Sequence, residues 1–402
     1  MLDLCVNFAG IRHKNPIVAA AGHITHEPVN LKKCIEAGAS AVTLKSISLD
    51  EETWARPRPC HHFLDKYGYR GALMHEELGF LTPELAVKYI KEIKPLAKDE
   101  GTIVVGNIVL GEWSAKSVDE DKNLRDIAWR LQDAGADAIE VPNTCGALIS
   151  ASDRVPRLKR EIPLIINTLK GKLEVPFWIK MAFLYDSISI EDLKTIESMG
   201  LDAIHIYPEI RSTLIDVETG KPPVSMAYIN GTKTAESCYI TYATRINTNL
   251  KIISSRGVWT WRDVVERIMC GATLVGIHTA VQYNGYKVFK EMISGLKSFM
   301  ERKGYKKVED FIGIATPHIC NLEEAFKTLK KRQVAIESVE ISIDSVKCNG
   351  CERCVVCNQG AITMKDGIAQ VDLELCNRCG SCASICPQEA ITLKVLGQPW
   401  MA

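Results

Sequence analysis

No apolar run in this 402-residue sequence approaches the ~18 residues needed to cross a bilayer, so a spanning helix is not expected. Charge of one sign is not in surplus either. The 49 Lys and Arg are matched by 49 Asp and Glu, and a net charge of zero argues against a broad nucleic-acid surface. The opening Met1-Leu-Asp-Leu-Cys-Val-Asn-Phe lacks the basic and apolar regions of a secretory signal, which leads to the expectation of a cytoplasmic protein. A G-x-G-x-x-G turn between strand and helix is missing too, so NAD(P)H is expected to react on another chain.

What is present is a 46% apolar composition that can fill a large core, and fifteen cysteines. Eight of these fall within the 39 residues from Cys348 to Cys386, while Cys5, Cys34, Cys60, Cys145, Cys238, Cys270 and Cys320 are scattered. A secreted disulfide scaffold spreads its cysteines over a short chain, whereas this pattern reads as thiolate ligands gathered at one end.

Residues 1–305 alternate branched apolar runs with stretches long enough for a helix. The runs are Pro16–Ala20, Ala41–Ile47, Thr102–Val109, Ala138–Pro142, Pro176–Phe183, Ala203–Tyr207, Leu250–Ser255 and Thr273–Ile277. Eight such units predict a (β/α)8 barrel of the α/β class. An echo precedes four of the strands: Ala37-Gly38-Ala39, Ala134-Gly135-Ala136, Met199-Gly200-Leu201 and Cys270-Gly271-Ala272. Glycine at a helix end before a buried strand is ordinary αβ-loop chemistry, so these glycines read as structural. Residues 306–337, rich in lysine and helical in pattern over Leu322–Gln333, read as a solvated linker, and 338–402 as a small α+β domain.

That domain holds Cys348-Asn-Gly-Cys351-Glu-Arg-Cys354 and Cys376-Asn-Arg-Cys379-Gly-Ser-Cys382-Ala-Ser-Ile-Cys386-Pro387. Gln359-Gly-Ala-Ile-Thr and Gln388-Glu-Ala-Ile-Thr trail the two copies. C-x2-C-x2-C-x3-C-P sets three thiolates around one cubane and lends the fourth cysteine to the other cluster. Two [4Fe-4S] clusters are therefore expected, one on Cys348, Cys351, Cys354 and Cys386 and one on Cys376, Cys379, Cys382 and Cys357. Cys357 follows Cys354 after two residues rather than three, and Asn358 stands where proline is usual. Structural zinc is the plainer alternative for C-x2-C pairs.

Clusters pass single electrons, and flavin is the usual converter to two-electron chemistry. Asn15-Pro16 with Ala19-Ala20-Ala21-Gly22, Val42-Thr43-Leu44-Lys45-Ser46-Ile47-Ser48, Phe177-Trp178-Ile179-Lys180-Met181, Ser254-Ser255-Arg256-Gly257-Val258, and Gly271-Ala272-Thr273 running into Ile277-His278-Thr279-Ala280 carry a resemblance. Residues 1 to about 310 resemble the FMN domain of dihydroorotate dehydrogenases. The whole chain is similar to the C-terminal half of dihydropyrimidine dehydrogenase and the bacterial subunit corresponding to it. The resemblance implies FMN held by Ala20, Ala21, Gly22, Lys45, Ser46, Asn107, Lys180, Gly231, Ser255, Arg256, Gly257, His278 and Thr279. Arg256 and His278 stand where the family usually has glycine. The phosphate is placed by the loops after strands seven and eight, as is usual for such barrels. Lys180 is placed at the N1 side of the flavin ring and Lys45 near ring and substrate; the plainer alternative is lysines reaching solvent from strand ends. Cys145, after strand four, matches the catalytic cysteine, a thiol that protonates one carbon while flavin N5 delivers hydride to the other. Filling apolar space is the plainer role for a lone cysteine.

The family's pyrimidine-binding asparagines are replaced: Pro142 with Asn143 shifted, Pro208-Glu209, and Met74 or His75. Each lost partner for a buried amide costs ~1–3 kcal/mol, so a substrate other than uracil is expected. His23, His26, His61, His62, His75, Tyr207, Glu209 and Arg211, expected on loops at the barrel mouth, offer charge and aromatic surface to it, with His75, Asn143, Glu209 and Arg211 as contact candidates. Three readings result. The first is an oxidoreductase of a CH-CH or C=C bond in a small cyclic substrate. The second is a true dihydropyrimidine or dihydroorotate dehydrogenase subunit, and the third an electron-transfer subunit without substrate chemistry. Each implies a flavoprotein reductase subunit or a ferredoxin as electron partner, in an oligomer of like or unlike chains.

Overall fold

Strands that return to a sheet through helices must pair in parallel, and strands covered on both faces read as unbroken apolar runs. A computed structural model places eight of them at Ile17–Ala19, Ala41–Thr43, Ile103–Asn107, Ala138–Pro142, Phe177–Met181, Ala203–Ile206, Lys251–Ser255 and Leu274–Ile277, strands one to eight. They close in chain order into a parallel barrel, strand eight pairing with strand one. The described residues are 2–49, 54, 61–63, 72–74, 79–109, 120–142, 151–181, 189–208, 215–221, 228–230, 235–319 and 338–396. The expected helix within 320–337 lies outside them. The chain divides into two compact units, Met1–His318 and Ile319–Ala402.

Local sequence explains how the helices start and stop. Pro83–Asp99 opens with Thr82, whose Oγ1 accepts from Leu85 N at 3.2 Å, and buries Ala86, Ile90, Ile93 and Ala97, spaced for one helical face. The four αβ glycines all have positive φ, between 81° and 117°. At each, the next N–H returns to a carbonyl five residues back, as from Ala39 to Cys34 O and from Ala272 to Arg267 O, which closes the helix before the strand. Val308 and Phe311, in a 3-10 turn after the last barrel helix, are fully buried, and Phe311 stacks with Phe299 and Tyr305.

Two features were not expected from the sequence. A hairpin, Val6–Phe8 with Ile11–His13, precedes strand one, and Phe8 meets Trp178, the second residue of strand five, edge to face at 5.2 Å. Segments after strands two and six form an antiparallel sheet of His61–Phe63, Ala72–Met74 and Tyr228–Asn230. His61 and His62, expected on a loop, therefore lie on a strand, because Ala72–Met74 pairs with them.

His13 closes the hairpin fully buried, with neither ring nitrogen hydrogen-bonded. Burial pushes its pKa down to about 4 from 6.5. The unfolded chain binds this proton first, so stability falls as pH drops from 6.5 towards 4, by about 3 kcal/mol at ~1.4 kcal/mol per unit. Denaturant unfolding at the two ends of that range should show a smaller acid loss for His13→Leu than for the unaltered chain; equal losses would refute the assignment.

The second unit contains two antiparallel pairs, Val339–Ile343 with Ile391–Val395 and Ile362–Lys365 with Ile368–Val371. Its small core is Cys354, Ile362, Ala369 and Ile391, with four further cysteines packed against it. No helix among the described residues is long and apolar enough to cross a membrane.

Candidate active site

The C-terminal ends of strands one, five, six, seven and eight surround a cavity of about 520 Å³. Ala20 and Ala21 line it from strand one, Lys180 and Tyr207 from strands five and six, Ser255, Arg256, Gly257 and Val258 from strand seven, and Gly276, Ile277, His278 and Thr279 from strand eight. Two positions tolerate no side chain. A Cβ on Gly276 meets Ser255 Oγ at 2.1 Å, and one on Gly22 meets His278 Nε2 at 2.3 Å. His278 Nε2 accepts from His23 N at 3.0 Å, tying the loop after strand one to strand eight.

Eight of the expected cofactor residues line this cavity: Ala20, Ala21, Lys180, Ser255, Arg256, Gly257, His278 and Thr279. Lys45, Ser46 and Asn107 form a group of their own. Asn107 Nδ2 donates to Leu44 O and Ser46 Oγ, both at 3.2 Å, and its buried Oδ1 has no hydrogen-bond partner. Lys45 is 1% exposed with Nζ 5.1 Å from the Phe80 ring centre, and its N–H donates to Thr25 O. Thr25 in turn holds Gly22 through its Oγ1. Lys180 Nζ lies over the Tyr207 ring at 4.6 Å. Cys145 and Asn143 after strand four, Glu209 and Arg211 after strand six, and His75 and Gly231 lie outside the described residues.

Arg256 has φ 76°, the left-handed conformation that favours glycine. Its side chain is buried, and Nη1 donates to Pro208 O at 2.6 Å. Arg267, 1% exposed, holds this turn from behind, Nη2 donating to Arg256 O at 3.1 Å and Nη1 to Cys238 Sγ. The adjoining Cys270 thiol and Arg267 draw the Cys238 thiol below its ordinary range, which suits it to the buried guanidinium.

Sequence reasoning missed Arg267, Glu140 and His205. Glu140 and His205 sit in the barrel at 0% and 1% exposure. Glu140 Oε2 accepts from Trp178 Nε1 at 2.9 Å and lies 2.7 Å from His205 Nδ1, while His205 Nε2 lies 2.6 Å from Ser255 Oγ. Burial pushes the Glu140 carboxyl up, but His205, Lys180 and the Trp178 N–H together hold it below the usual carboxylate range. Burial pushes His205 down against the pull of Glu140. A charged residue inside an apolar strand, the signal used for Lys45 and Lys180, also marks Glu140 and His205.

The cysteines of the second unit line two cavities. One, of about 330 Å³, is lined by Cys348, Cys351, Cys354 and Cys386; the other, of about 610 Å³, by Cys357, Cys376, Cys379, Cys382 and again Cys354. The duplicated sequence gives a duplicated backbone. Gly350 and Arg378, Glu352 and Gly380, and Gly360 and Glu389 occupy equivalent places, and all six have positive φ. The copies differ where the spacing differs. Arg353–Val356 is a 3-10 turn and Ser381–Ser384 an α-turn. With fewer residues per turn, the 3-10 form absorbs the missing residue and leaves Cys357 facing the second cavity.

A model of the dihydroorotate dehydrogenase family matches residues 3–300, and one of the 4Fe-4S binding domain matches 369–392. The chain belongs to the dihydroorotate dehydrogenase family. Within that family it is 28% identical to the catalytic subunit of dihydroorotate dehydrogenase B (NAD(+)) of Thermoplasma acidophilum over 78% of this chain and 99% of the relative. It is 22% identical to the NAD-dependent dihydropyrimidine dehydrogenase subunit PreA of Escherichia coli over 88% and 85%. A crystal structure of DHODH from Eimeria tenella has the same fold, with a TM-score of 0.63 at 18% identity over 78% of this chain and 88% of that one. The chain is therefore an oxidoreductase of the dihydroorotate and dihydropyrimidine dehydrogenase type, a family barrel followed by a 4Fe-4S region.

Proposed function

We propose that this chain is the catalytic subunit of an FMN-dependent oxidoreductase that acts on a CH-CH or C=C bond of a small cyclic substrate and exchanges electrons through two [4Fe-4S] clusters. The observation that carries it is three cavities among the described residues, one at the mouth of a barrel of this family and two lined by cysteine sets. Cys348, Cys351, Cys354 and Cys386 hold one cluster, and Cys376, Cys379, Cys382 and Cys357 the other. The eight thiols line two cavities, as a pair of clusters would need.

The barrel residues suit FMN. Gly22 and Gly276 let the His278 and Ser255 side chains close against the backbone at the cavity wall, and Asn107 Oδ1 is a buried acceptor open to a ligand donor. Bound there, FMN supplies hydride exchange at N5 and single-electron exchange with the clusters. Lys180 and Lys45 set positive charge beside the ring, Ser255, Arg256, Gly257, His278 and Thr279 hold the phosphate, and Ala20, Ala21, Ser46 and Gly231 complete the site. Cys145 holds the proton exchanged with the substrate carbon, and His75, Asn143, Glu209 and Arg211 meet the substrate. The curated names of the relatives favour an NAD-linked partner subunit for the electrons; an external ferredoxin is the other source. The proposed domains are 1–305, 306–337 and 338–402, with Val308 and Phe311 at the start of the linker packed into the barrel core.

The test is to measure FMN, iron and sulfide in the purified chain, photoreduce it, and mix it with candidate substrates. Two clusters' worth of iron, and reoxidation by a cyclic alkene other than uracil, thymine or orotate, is the expected result. Reoxidation by those pyrimidines would make the chain a true pyrimidine enzyme, and stoichiometric zinc without iron would end the cluster assignment.

A further inference from the structure

Glu140, His205 and Ser255 form an unbroken hydrogen-bonded line from the barrel interior to the wall of the mouth cavity. The links are 2.7 Å and 2.6 Å, and Ser255 is the member that lines the cavity. Strands four, six and seven supply one residue each. Lys180, paired in register with His205 on strand five, lines the same cavity. The charges acting on His205 are Glu140 from strand four and Lys180 from strand five, one of each sign, while strand seven presents the uncharged Ser255.

An imidazole between a carboxylate and a hydroxyl holds its proton in two ways. When neutral, His205 donates from Nδ1 to Glu140 and accepts the Ser255 hydroxyl at Nε2, so the serine turns lone pairs to the cavity. When protonated, both ring N–H groups donate and the serine hydrogen is free to point into the cavity. Burial favours the first state, and negative charge in the cavity favours the second, because attraction is strong where water is excluded.

We propose that Glu140, His205 and Ser255 are a proton-holding relay in the wall of the mouth cavity. His205 takes up a proton when negative charge builds in the cavity, and Ser255 turns from hydrogen-bond acceptor to donor. The balance is simple: Ser255 passes its proton to His205 Nε2 and regains one that cavity water relays from bulk solvent, so one proton is taken up in all and no other bond changes. Glu140 fixes the ring and carries the compensating charge, so Glu140 and His205 are positioning residues that act through Ser255. This inference rests on the FMN site proposed above.

The experiment is a potentiometric titration of the FMN-loaded full chain at several pH values, read by flavin absorbance. The unaltered chain is expected to take up two protons with two electrons, one on the flavin and one on His205. His205→Gln is expected to take up one, halving the slope of midpoint potential against pH. Ser255→Ala keeps the buried Glu140 and His205 pair but leaves a protonated Nε2 without an acceptor, so its slope should fall as well, which guards against a His205 variant that fails to fold. Equal slopes in all three proteins would overturn the relay and leave the flavin site standing. A chain that binds no FMN would overturn both.

Discussion

Replacing Cys145 with alanine is expected to lower turnover by ~10²–10⁴-fold, the usual contribution of a positioned proton donor, with FMN content and cluster absorption unchanged. The physical basis is position. Strand four ends at Pro142, every described wall of the mouth cavity comes from the C-terminal end of a strand, and the segment carrying Cys145 leaves from that end. The effect should appear in substrate turnover and not in dye-linked oxidation of the photoreduced flavin, since that reaction needs no proton at carbon. Cys145→Ser should recover part of the loss. Undiminished turnover in the alanine variant would remove Cys145 from the chemistry and favour an electron-transfer role for the barrel.

Glu140→Ala should destabilise the barrel by ~2–6 kcal/mol, ~1–3 kcal/mol for each of two buried donors left without an acceptor. The substitution strips Trp178 Nε1 and His205 Nδ1 of their acceptor at a position that is 0% exposed. Glu140→Gln keeps an oxygen for both donors and should lose much less. Because the Glu140 carboxyl is held below its ordinary range in the folded chain, its contribution is present above the unfolded carboxylate pKa and is lost as pH falls through the folded one. Denaturant midpoints at neutral and acidic pH measure both effects. If Glu140→Ala unfolded at the same midpoint as the unaltered chain, the buried network would carry no stability.

The strand positions were legible because a parallel barrel buries both faces of each strand, so each appears as an apolar run bounded by a turn. All eight expected runs contain an observed strand, from Ala138–Pro142, where the bounds coincide, to Ala41–Ile47, where the strand is only Ala41–Thr43 and Ile47 makes isolated bridges to Leu81 and Ile108. The sheet that holds His61–Phe63 was not legible. Its third strand, Tyr228–Asn230, pairs with Ala72–Met74 from more than 150 residues away in the chain, and three-residue strands carry too little periodicity to mark themselves.

Much of the mouth cavity was anticipated, since Ser255, Arg256, Gly257, His278 and Thr279 follow strands seven and eight as a barrel requires. Glu140 and His205 were hidden for a different reason. A lone charge in an apolar run states that a partner must exist without saying which, and only the register between strands names it. The same holds for Arg267, whose two acceptors, Arg256 O and Cys238 Sγ, come from separate elements.

The sequence by itself determined the eight βα units, the duplicated cysteine device and the absence of a dinucleotide turn, because each is a local pattern of spacing and composition. The tertiary structure alone decided that Cys354 lines both cysteine cavities, that a 3-10 turn compensates for the short Cys354 to Cys357 spacing, and that Glu140 reaches Ser255 through His205. Those outcomes depend on distances between residues far apart in the chain, and these exist only once the barrel closes and the two cysteine copies fold on each other.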